Sequence, residues 1–191
     1  MKIVFATGNR HKASEVGEII QGHEILSLND ISFTDEIPEP YPTLSGNALH
    51  KAQTVFESCK IPCFAEDTGL EVDALAGAPG VKTARFAGPA CNDHENMQLL
   101  LASLNKGDDR TAQFRTVLAY VTSKGNHLFT GICKGRISLE KRGQKGFGYD
   151  PVFVPEGHSK TFAELGENVK NEISHRARAV KAFYDFLLTQ K

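Results

Sequence analysis

Two adjacent carboxylates, Glu66 and Asp67, follow an apolar run at residues 61–65 and precede Thr68-Gly69. A buried carboxylate is costly unless it meets a cation or hydrogen-bond donors, and the C-terminal ends of strands are where open α/β sheets bind ligands. Magnesium in proteins is usually held by one or two carboxylates together with substrate phosphates. The segment is therefore either a magnesium site or a solvated turn, and Glu39 is either a second carboxylate for that site or an exposed loop residue.

The segment Thr7-Gly8-Asn9-Arg10-His11-Lys12 has residue types suited to binding phosphate. It lies where a predicted strand passes into the N-terminus of a predicted helix, which offers free backbone N–H groups and the positive end of the helix dipole. Gly8 would let a ligand approach the backbone, and Lys12 could neutralise a phosphate oxygen. Strand–glycine–helix junctions are also common without any phosphate, so both interpretations stay open. The GxxxxGK[ST] and GxGxxG patterns are absent from the sequence.

Two glycines, two aromatic residues and a carboxylate form the segment Gly146-Phe147-Gly148-Tyr149-Asp150-Pro151. A loop of this composition can lie against a flat base, with a ring stacking on it and Asp150 accepting N–H bonds. The alternative is a β-turn whose aromatic residues belong to the core.

Cations also occur near the start of the last predicted helix, where Lys170 precedes Ser174-His175-Arg176. Positive charge in a first helical turn opposes the helix dipole. We therefore expect either an anionic or acceptor-rich ligand there or a surface salt bridge, with Ser174 as the helix N-cap.

The elements that would position these residues alternate between strand and helix and then form a hairpin. We predict four helices. The first includes Val16, Ile19 and Ile20, the second and third span about 44–58 and 93–104, and the fourth lies at the C-terminus. We predict strands near residues 2–7, 23–28, 61–65, 70–74, 111–122, 127–139 and 151–154, with a turn at 123–126. Residues 38–42 contain three prolines and therefore cannot form the interior of a helix or a central strand. Residues 76–90 are predicted to form a long loop. The pattern indicates an α/β fold with a mixed sheet.

Composition and charge exclude several classes of protein. The chain has 191 residues, enough for one domain or two closely packed lobes, and its 40% hydrophobic and 24% charged residues are typical of soluble globular proteins. The net charge of −1 gives no global positive field for a nucleic-acid polymer, so phosphate binding would depend on local lysines and arginines.

Targeting and metal motifs are also missing from the sequence. Every apolar run is shorter than the roughly 20 residues of a membrane span, and the N-terminal run is too short for a secretory signal, which predicts a cytosolic protein without a membrane partner. The four cysteines form no CxxC pair and the seven histidines no HExxH pair, which leaves zinc chemistry unsupported. Cys63 and Cys133 lie in apolar runs and are predicted to be buried thiols.

Taken together, the segments resemble the inosine triphosphate pyrophosphatase (HAM1-like) family, and its bacterial branch through GFGYDP and SHR. The matching pieces stand in the family's order and run from Thr7 to Arg176: TGNRHK, NALHKA, EDTGL with LAGAPGVKTARFAG, GFGYDP and SHR. The resemblance implies one pyrophosphatase domain over residues 1–191, with a mixed, elongated central sheet flanked by helices in two lobes and the active site in the cleft between them. It implies a Mg²⁺-dependent hydrolysis of ITP, dITP, XTP and dXTP to the nucleoside monophosphate and pyrophosphate, and a homodimer.

The resemblance also implies roles for individual residues. Asp67 would hold Mg²⁺ and accept the proton of the attacking water, with Glu39 as the second metal ligand and Thr68 touching the substrate. The triphosphate would be bound by Thr7, Gly8, Asn9, Arg10, His11, Lys12, Lys51 and Arg85. The base and sugar would be enclosed by Phe147, Gly148, Tyr149, Asp150, Lys170, His175 and Arg176.

Two positions depart from the family pattern. The family commonly has Glu-Asn-Ala where this chain has Gly46-Asn47-Ala48, so metal ligation depends more on Glu39 and Asp67. Thr68 replaces a frequent serine and keeps the hydroxyl.

Three rival hypotheses stay open. The first is a Maf-like nucleotide pyrophosphatase, which GFGYDP and SHR disfavour. The second is a non-catalytic nucleotide-binding module, which the carboxylate pair disfavours, and the third is a purely structural protein.

Overall fold

The computed structural model describes residues 1–190, apart from the side chain of Arg10. The strands are β1 (Lys2–Phe5), β2 (Glu24–Leu26), β3 (Cys63–Val72), β4 (Pro79–Gly80), β5 (Thr111–Thr122), β6 (Gly125–Ile137) and β7 (Phe153–Pro155). The helices are α1 (Arg10–Ile19), α2 (Leu44–Cys59), α3 (Asp93–Ala102), α4 (Phe162–Leu165), α5 (Glu167–Ile173) and α6 (His175–Thr189). Among residues 1–190, the helices are all too short or too polar to cross a membrane.

The strands form one sheet in the order β2-β1-β3-β5-β6-β7, with β4 beside β3. β1 pairs in parallel with β2 and β3, whereas β4 and β7 run antiparallel to β3 and β6. The predicted α/β fold with a mixed sheet is therefore confirmed. The prediction of an active site in a cleft stays a prediction.

The chain forms two compact units. The first unit comprises Met1–Asp67, Thr116–Gly131 and the chain from Arg176 onward, and the second comprises Thr68–Arg115 and Ile132–His175. The single pyrophosphatase domain over residues 1–191 stays a prediction.

The core of the first unit is built on stacked aromatic rings. Phe5 of β1 and Phe64 of β3 lie in register with ring centroids 4.4 Å apart, and Phe183 of α6 packs on Phe64 at 5.1 Å. Val16 of α1 and Val180 of α6 belong to the same cluster. Helices α1 and α6 therefore belong to the same core as β1 and β3.

The core of the second unit also centres on aromatic residues. Phe153 of β7 packs against Phe114 of β5 and Phe162 of α4, with ring centroids 4.7 and 5.4 Å apart. Leu70 of β3 and Leu100 of α3 belong to the same cluster. Cys63 in the first unit and Cys133 in the second are buried, as predicted.

One sequence-based element boundary was wrong. Residues 66–69 were predicted to end a strand, but β3 continues without a break from Cys63 to Val72. Polar residues and a glycine indicated a turn, whereas in the fold Glu66 and Asp67 are buried and paired with cations. The catalytic candidates therefore lie in the middle of a strand.

Other differences are smaller. The predicted loop at 76–90 contains β4 and a 3₁₀ turn at Thr83–Arg85, and the hairpin turn shortens to residues 123–124 because Gly125 begins β6. Helices α4 and α5 were not predicted, although Thr161 and Glu164 form a capping box whose sequence pattern marks a helix start. Ser174 has extended backbone directly before α6, as the predicted N-cap requires.

Candidate active site

The two carboxylates of β3 point to opposite faces of the sheet, because successive side chains alternate along a strand. Asp67 faces α2, and Glu66 faces α1 and α6. Both side chains are buried. Each carboxylate therefore has its own set of partners.

On the Asp67 face, one lysine connects the two predicted metal ligands. Lys51 of α2 places its Nζ 2.6 Å from Oε1 of Glu39 and 3.6 Å from Oδ1 of Asp67. An ammonium group within reach of both carboxylates shows that they lie close enough to share one cation.

Burial raises the pKa of Asp67 above the ordinary aspartate value, although the charge of Lys51 opposes that shift. The Glu39 carboxylate adds to the increase because like charges disfavour ionisation. Carboxylate oxygens are the ligands that Mg²⁺ prefers in proteins. Within residues 1–190 no three Asp, Glu, His or Cys side chains form a metal cluster.

On the opposite face, Glu66 is held by two cations. Arg176 donates from Nε and Nη2 to the two carboxylate oxygens at 2.8 and 2.9 Å, and Lys12 Nζ lies 2.9 Å from Oε1. Burial opposes ionisation of Glu66, but the charges of Arg176 and Lys12 outweigh it and hold its pKa well below the usual range. Arg176 also donates from Nη1 to Glu15.

This network gives two residues a role that the sequence analysis did not assign. Glu66 connects the first turn of α6 to the first turn of α1, and Glu15 completes the partners of Arg176. Arg176 is only 2% exposed, and its Nε, Nη1 and Nη2 groups donate to Glu66 and Glu15. Its predicted contact with a base stays a prediction. The signal in the sequence was the second carboxylate, which must face away from its neighbour in a strand.

The N-terminus of α1 is less open than predicted. The Asn9 side chain caps the helix by accepting from the backbone N–H groups of His11 and Lys12 at 3.0 and 3.2 Å, and Thr7 Oγ1 accepts from the Asn9 N–H at 3.1 Å. Asparagine is a favoured N-cap for this reason. The expectation that these two N–H groups are free for phosphate was therefore wrong. Arg10, also a predicted phosphate ligand, has its side chain outside the described part of the chain.

In the second unit, Asp150 organises the loop at residues 146–150. Its Oδ2 accepts from the Phe147 N–H at 2.9 Å and from Lys170 Nζ at 2.7 Å. Lys170 is only 4% exposed, and its Nζ lies 4.1 Å from the centroid of the Phe147 ring, a distance at which cation–π attraction operates. The Asp150 carboxylate thus fixes both Phe147 and Lys170.

The two aromatic residues of this loop have different surroundings. Tyr149 is a core residue whose hydroxyl donates to Thr83 O at 2.9 Å, and burial raises its pKa above the ordinary value. Phe147 is half-buried and remains the candidate for stacking on a base. The two interpretations of this segment therefore apply to different residues.

The remaining site candidates of the second unit are held by neighbouring elements. The His175 ring stacks on Phe114 with centroids 4.5 Å apart. Arg85 lies in the 3₁₀ turn, where Asn96 of α3 bonds to Ala84 O and Ala87 N. Thr68 of β3 is half-buried.

Gly146 is required for this loop geometry, which yields a testable prediction. Its φ is +80°, and a Cβ there would overlap Oδ2 of Asp150. We expect Gly146→Ala to lower the free energy of unfolding by more than about 2 kcal/mol, since strain of the positive φ alone costs about 1–2 kcal/mol. Urea unfolding measures this difference.

The matched control is Gly148→Ala in the same loop. Gly148 also has a positive φ of +58°, but a Cβ there would meet nothing within 4 Å among the described residues. For this variant, the free energy of unfolding is expected to fall only by the cost of the positive φ, about 1–2 kcal/mol. Equal losses for the two variants would contradict the overlap with Asp150.

Comparison with known proteins gives matches along nearly the whole chain. A sequence profile of the Ham1 family matches residues 3–186. A protein named dITP/XTP pyrophosphatase from Porphyromonas gingivalis is 51% identical, covering 100% of this chain and 99% of its own. One of the same name from Christiangramia forsetii is 48% identical, covering 98% and 99%. The solved structure of the Staphylococcus aureus Ham1 protein matches with a TM-score of 0.93 at 33% identity and covers 100% of both chains.

Proposed function

This chain belongs to the Ham1 family, and we propose that it hydrolyses non-standard purine nucleoside triphosphates such as dITP, ITP, XTP and dXTP. The products are the nucleoside monophosphate and pyrophosphate. Full-length relatives named dITP/XTP pyrophosphatase support this substrate class. The observation that carries the proposal is that the buried Asp67 and the partly exposed Glu39 both lie within 4 Å of a single ammonium group, that of Lys51.

Asp67 is the proposed proton acceptor for the water that attacks the α-phosphorus. Its raised pKa makes its carboxylate a better base than an exposed aspartate. Proton acceptance requires the ionised form of Asp67. Lys51 favours that ionised form by its charge.

Glu39 and Asp67 are the proposed ligands of Mg²⁺. When bound, Mg²⁺ supplies charge neutralisation for the phosphates and raises the acidity of water. Phosphoryl transfer depends mainly on positioning and on neutralising charge, which suits a site whose own residues are mostly cations and carboxylates.

The cations proposed to bind the triphosphate are paired with carboxylates in the structure. Lys12 contacts Glu66, and Lys51 contacts Glu39 and Asp67. These contacts fix each lysine in place, so that little conformational entropy is lost when a phosphate arrives. Thr7, Gly8, Asn9, Arg10, His11 and Arg85 remain further proposed phosphate contacts.

Base selection is proposed to depend on position 6 of the purine. Inosine and xanthosine present a carbonyl there, whereas adenosine presents an amino group, which would leave a protein donor unpaired. His175 and Arg176 are the proposed donors, and Phe147 is the proposed stacking surface. Thr68, Gly148, Tyr149, Asp150 and Lys170 are proposed to touch or support the base and sugar.

The test is to incubate the purified protein with Mg²⁺ and each of dITP, XTP, ATP and GTP. We expect kcat/KM for dITP and XTP to exceed that for ATP by at least about a hundredfold, since an unpaired buried donor costs several kcal/mol. Pyrophosphate, not orthophosphate, should be the released product. Equal turnover of ATP and dITP would refute the selectivity proposal, and release of orthophosphate would refute the proposed bond cleavage.

The family resemblance supports three further proposals. The active protein is a homodimer, it acts in the cytoplasm, and residues 1–191 act as one pyrophosphatase domain. Sedimentation of the purified protein at micromolar concentration tests the first of these.

A further inference from the structure

Asn47 is a fully buried amide close to the two proposed metal ligands. It lies on α2, four residues before Lys51, and its side chain is 0% exposed. The amide Oδ1 accepts from the Tyr41 N–H at 2.9 Å, and Nδ2 donates to Tyr41 O at 3.1 Å. Nδ2 also lies 3.4 Å from Oδ2 of Asp67, a hydrogen bond slightly longer than the usual range.

The contact with Tyr41 matters because Tyr41 lies in the proline-rich segment two residues after Glu39. Proline has no N–H, and residues 38, 40 and 42 are all prolines. The segment has no regular secondary structure, so its backbone groups need other partners. Asn47 supplies both a donor and an acceptor to it.

Gly46 permits this approach of the segment to α2. A Cβ at position 46 would lie 2.7 Å from Cβ of Tyr41 and 3.0 Å from Oγ1 of Thr43. Real Cβ atoms do not approach so closely, so a side chain at position 46 would push the segment away from the helix. Gly46 and Asn47 therefore act together on the position of Tyr41.

We propose that Asn47 is a positioning residue that fixes Glu39, through Tyr41, and Asp67, by direct contact, at the separation that one divalent cation requires. This inference rests on the proposed function, because it takes Glu39 and Asp67 as the metal ligands. Hydrogen-bond partners of metal ligands typically change metal affinity by about 10–100-fold when removed.

The test compares Asn47→Ala with a matched variant, Asn96→Ala. Asn96 is 1% exposed, and its amide makes the same pair of backbone bonds, to Ala87 N at 2.7 Å and Ala84 O at 2.8 Å. The described contacts of Asn96 include no carboxylate. Both variants remove a buried amide, so both should lower the thermal unfolding midpoint, and only Asn47→Ala should affect the metal.

Two readouts separate positioning from stability. The first is the dissociation constant of Mn²⁺ with no nucleotide present, obtained from the electron paramagnetic resonance signal of free Mn²⁺. The second is the Mg²⁺ concentration for half-maximal turnover of dITP. We expect Asn47→Ala to raise both values about tenfold or more. Asn96→Ala should keep the Mn²⁺ value within about twofold of wild type, and that readout contains no nucleotide for the nearby Arg85 to contact. Gly46→Ala should raise both values as well, and it serves in place of Asn47→Ala if that variant does not fold.

The outcomes distinguish this inference from the proposed function. Wild-type values for folded Asn47→Ala or Gly46→Ala overturn the positioning role alone, as does an equal change of the Mn²⁺ value in Asn96→Ala. A wild-type protein that neither binds Mn²⁺ nor needs a divalent ion for turnover overturns both the metal site and the positioning role.

Discussion

Replacing Asp67 with asparagine is expected to lower kcat for dITP by about a thousandfold or more at saturating Mg²⁺. A positioned general base alone contributes about 10²–10⁴-fold, and Asp67 is also a proposed metal ligand. Asparagine keeps the size of the side chain and removes its charge. Pyrophosphate release measures the loss of turnover.

The fold should survive this substitution. Because burial raises the pKa of Asp67, the folded state favours the protonated carboxyl, and the stability from this preference is lost as pH rises through the shifted pKa. At neutral pH a neutral asparagine should therefore be no less stable than the ionised aspartate. Lost activity with an unchanged or higher unfolding midpoint would separate catalysis from stability.

Asp185→Asn provides the control for the Asp67 variant. Asp185 is an exposed residue of α6 in the same unit, and its replacement should leave kcat unchanged. Near-normal turnover by Asp67→Asn in the presence of Mg²⁺ would overturn the proposed mechanism.

Replacing Glu66 with glutamine is expected to lower the free energy of unfolding by about 3 kcal/mol or more at pH 7. The substitution leaves Arg176, which is 2% exposed, with fewer opposing charges, and breaking a buried ion pair on one side costs about 3–5 kcal/mol. For a domain of this size, the loss corresponds to a decrease of about 6–12 °C in the unfolding midpoint.

The stability difference between wild type and Glu66→Gln should depend on pH. The pKa of Glu66 is lowered by Arg176 and Lys12 against the effect of burial, so its contribution to stability is present above the unfolded pKa of about 4.3. That contribution is lost as pH falls toward the lowered folded pKa. The difference between wild type and Glu66→Gln should therefore be largest at neutral pH and shrink in acid.

Glu24→Gln is the matched control for Glu66→Gln. Glu24 forms an exposed ion pair with Lys2, whose Nζ lies 3.6 Å away. Exposed pairs contribute about 0–1 kcal/mol, so the control should change the midpoint little at any pH. Equal effects of the two substitutions would mean that Glu66 is not the buried charge that holds Arg176.

Much of the architecture was predictable from periodicity and local chemistry. The apolar spacing on α2 and α6 and the hairpin of β5 and β6 gave the elements and the mixed sheet. The boundaries failed where tertiary contacts outweigh local preference. In β3, the residues Glu66 to Gly69 favour a turn by type, but Lys12, Lys51 and Arg176 neutralise the acids inside a strand.

The candidate site was predictable by residue type and less so by partner. Asp67 and Glu39 were named from residue type and Lys51 from the family resemblance. The structure brings their charged groups together in the first unit. The roles of Glu66 and Asn47 depend on which face of a strand or helix each side chain occupies and on a segment distant in sequence. Such pairings follow from the tertiary fold and have no local sequence pattern.

The alternation of acids along β3 restricts how the length of this strand can vary. Phe64 is fixed opposite Phe5 by the parallel pairing with β1, so inserting or deleting one residue just after it would exchange the two acids between α2 and the α1–α6 side. Insertion of two residues would restore the sides but shift both acids by about 6.6 Å along the strand, beyond the reach of their lysines. The flanking loops can change in length, whereas the number of residues between the aromatic contact and the acids is fixed.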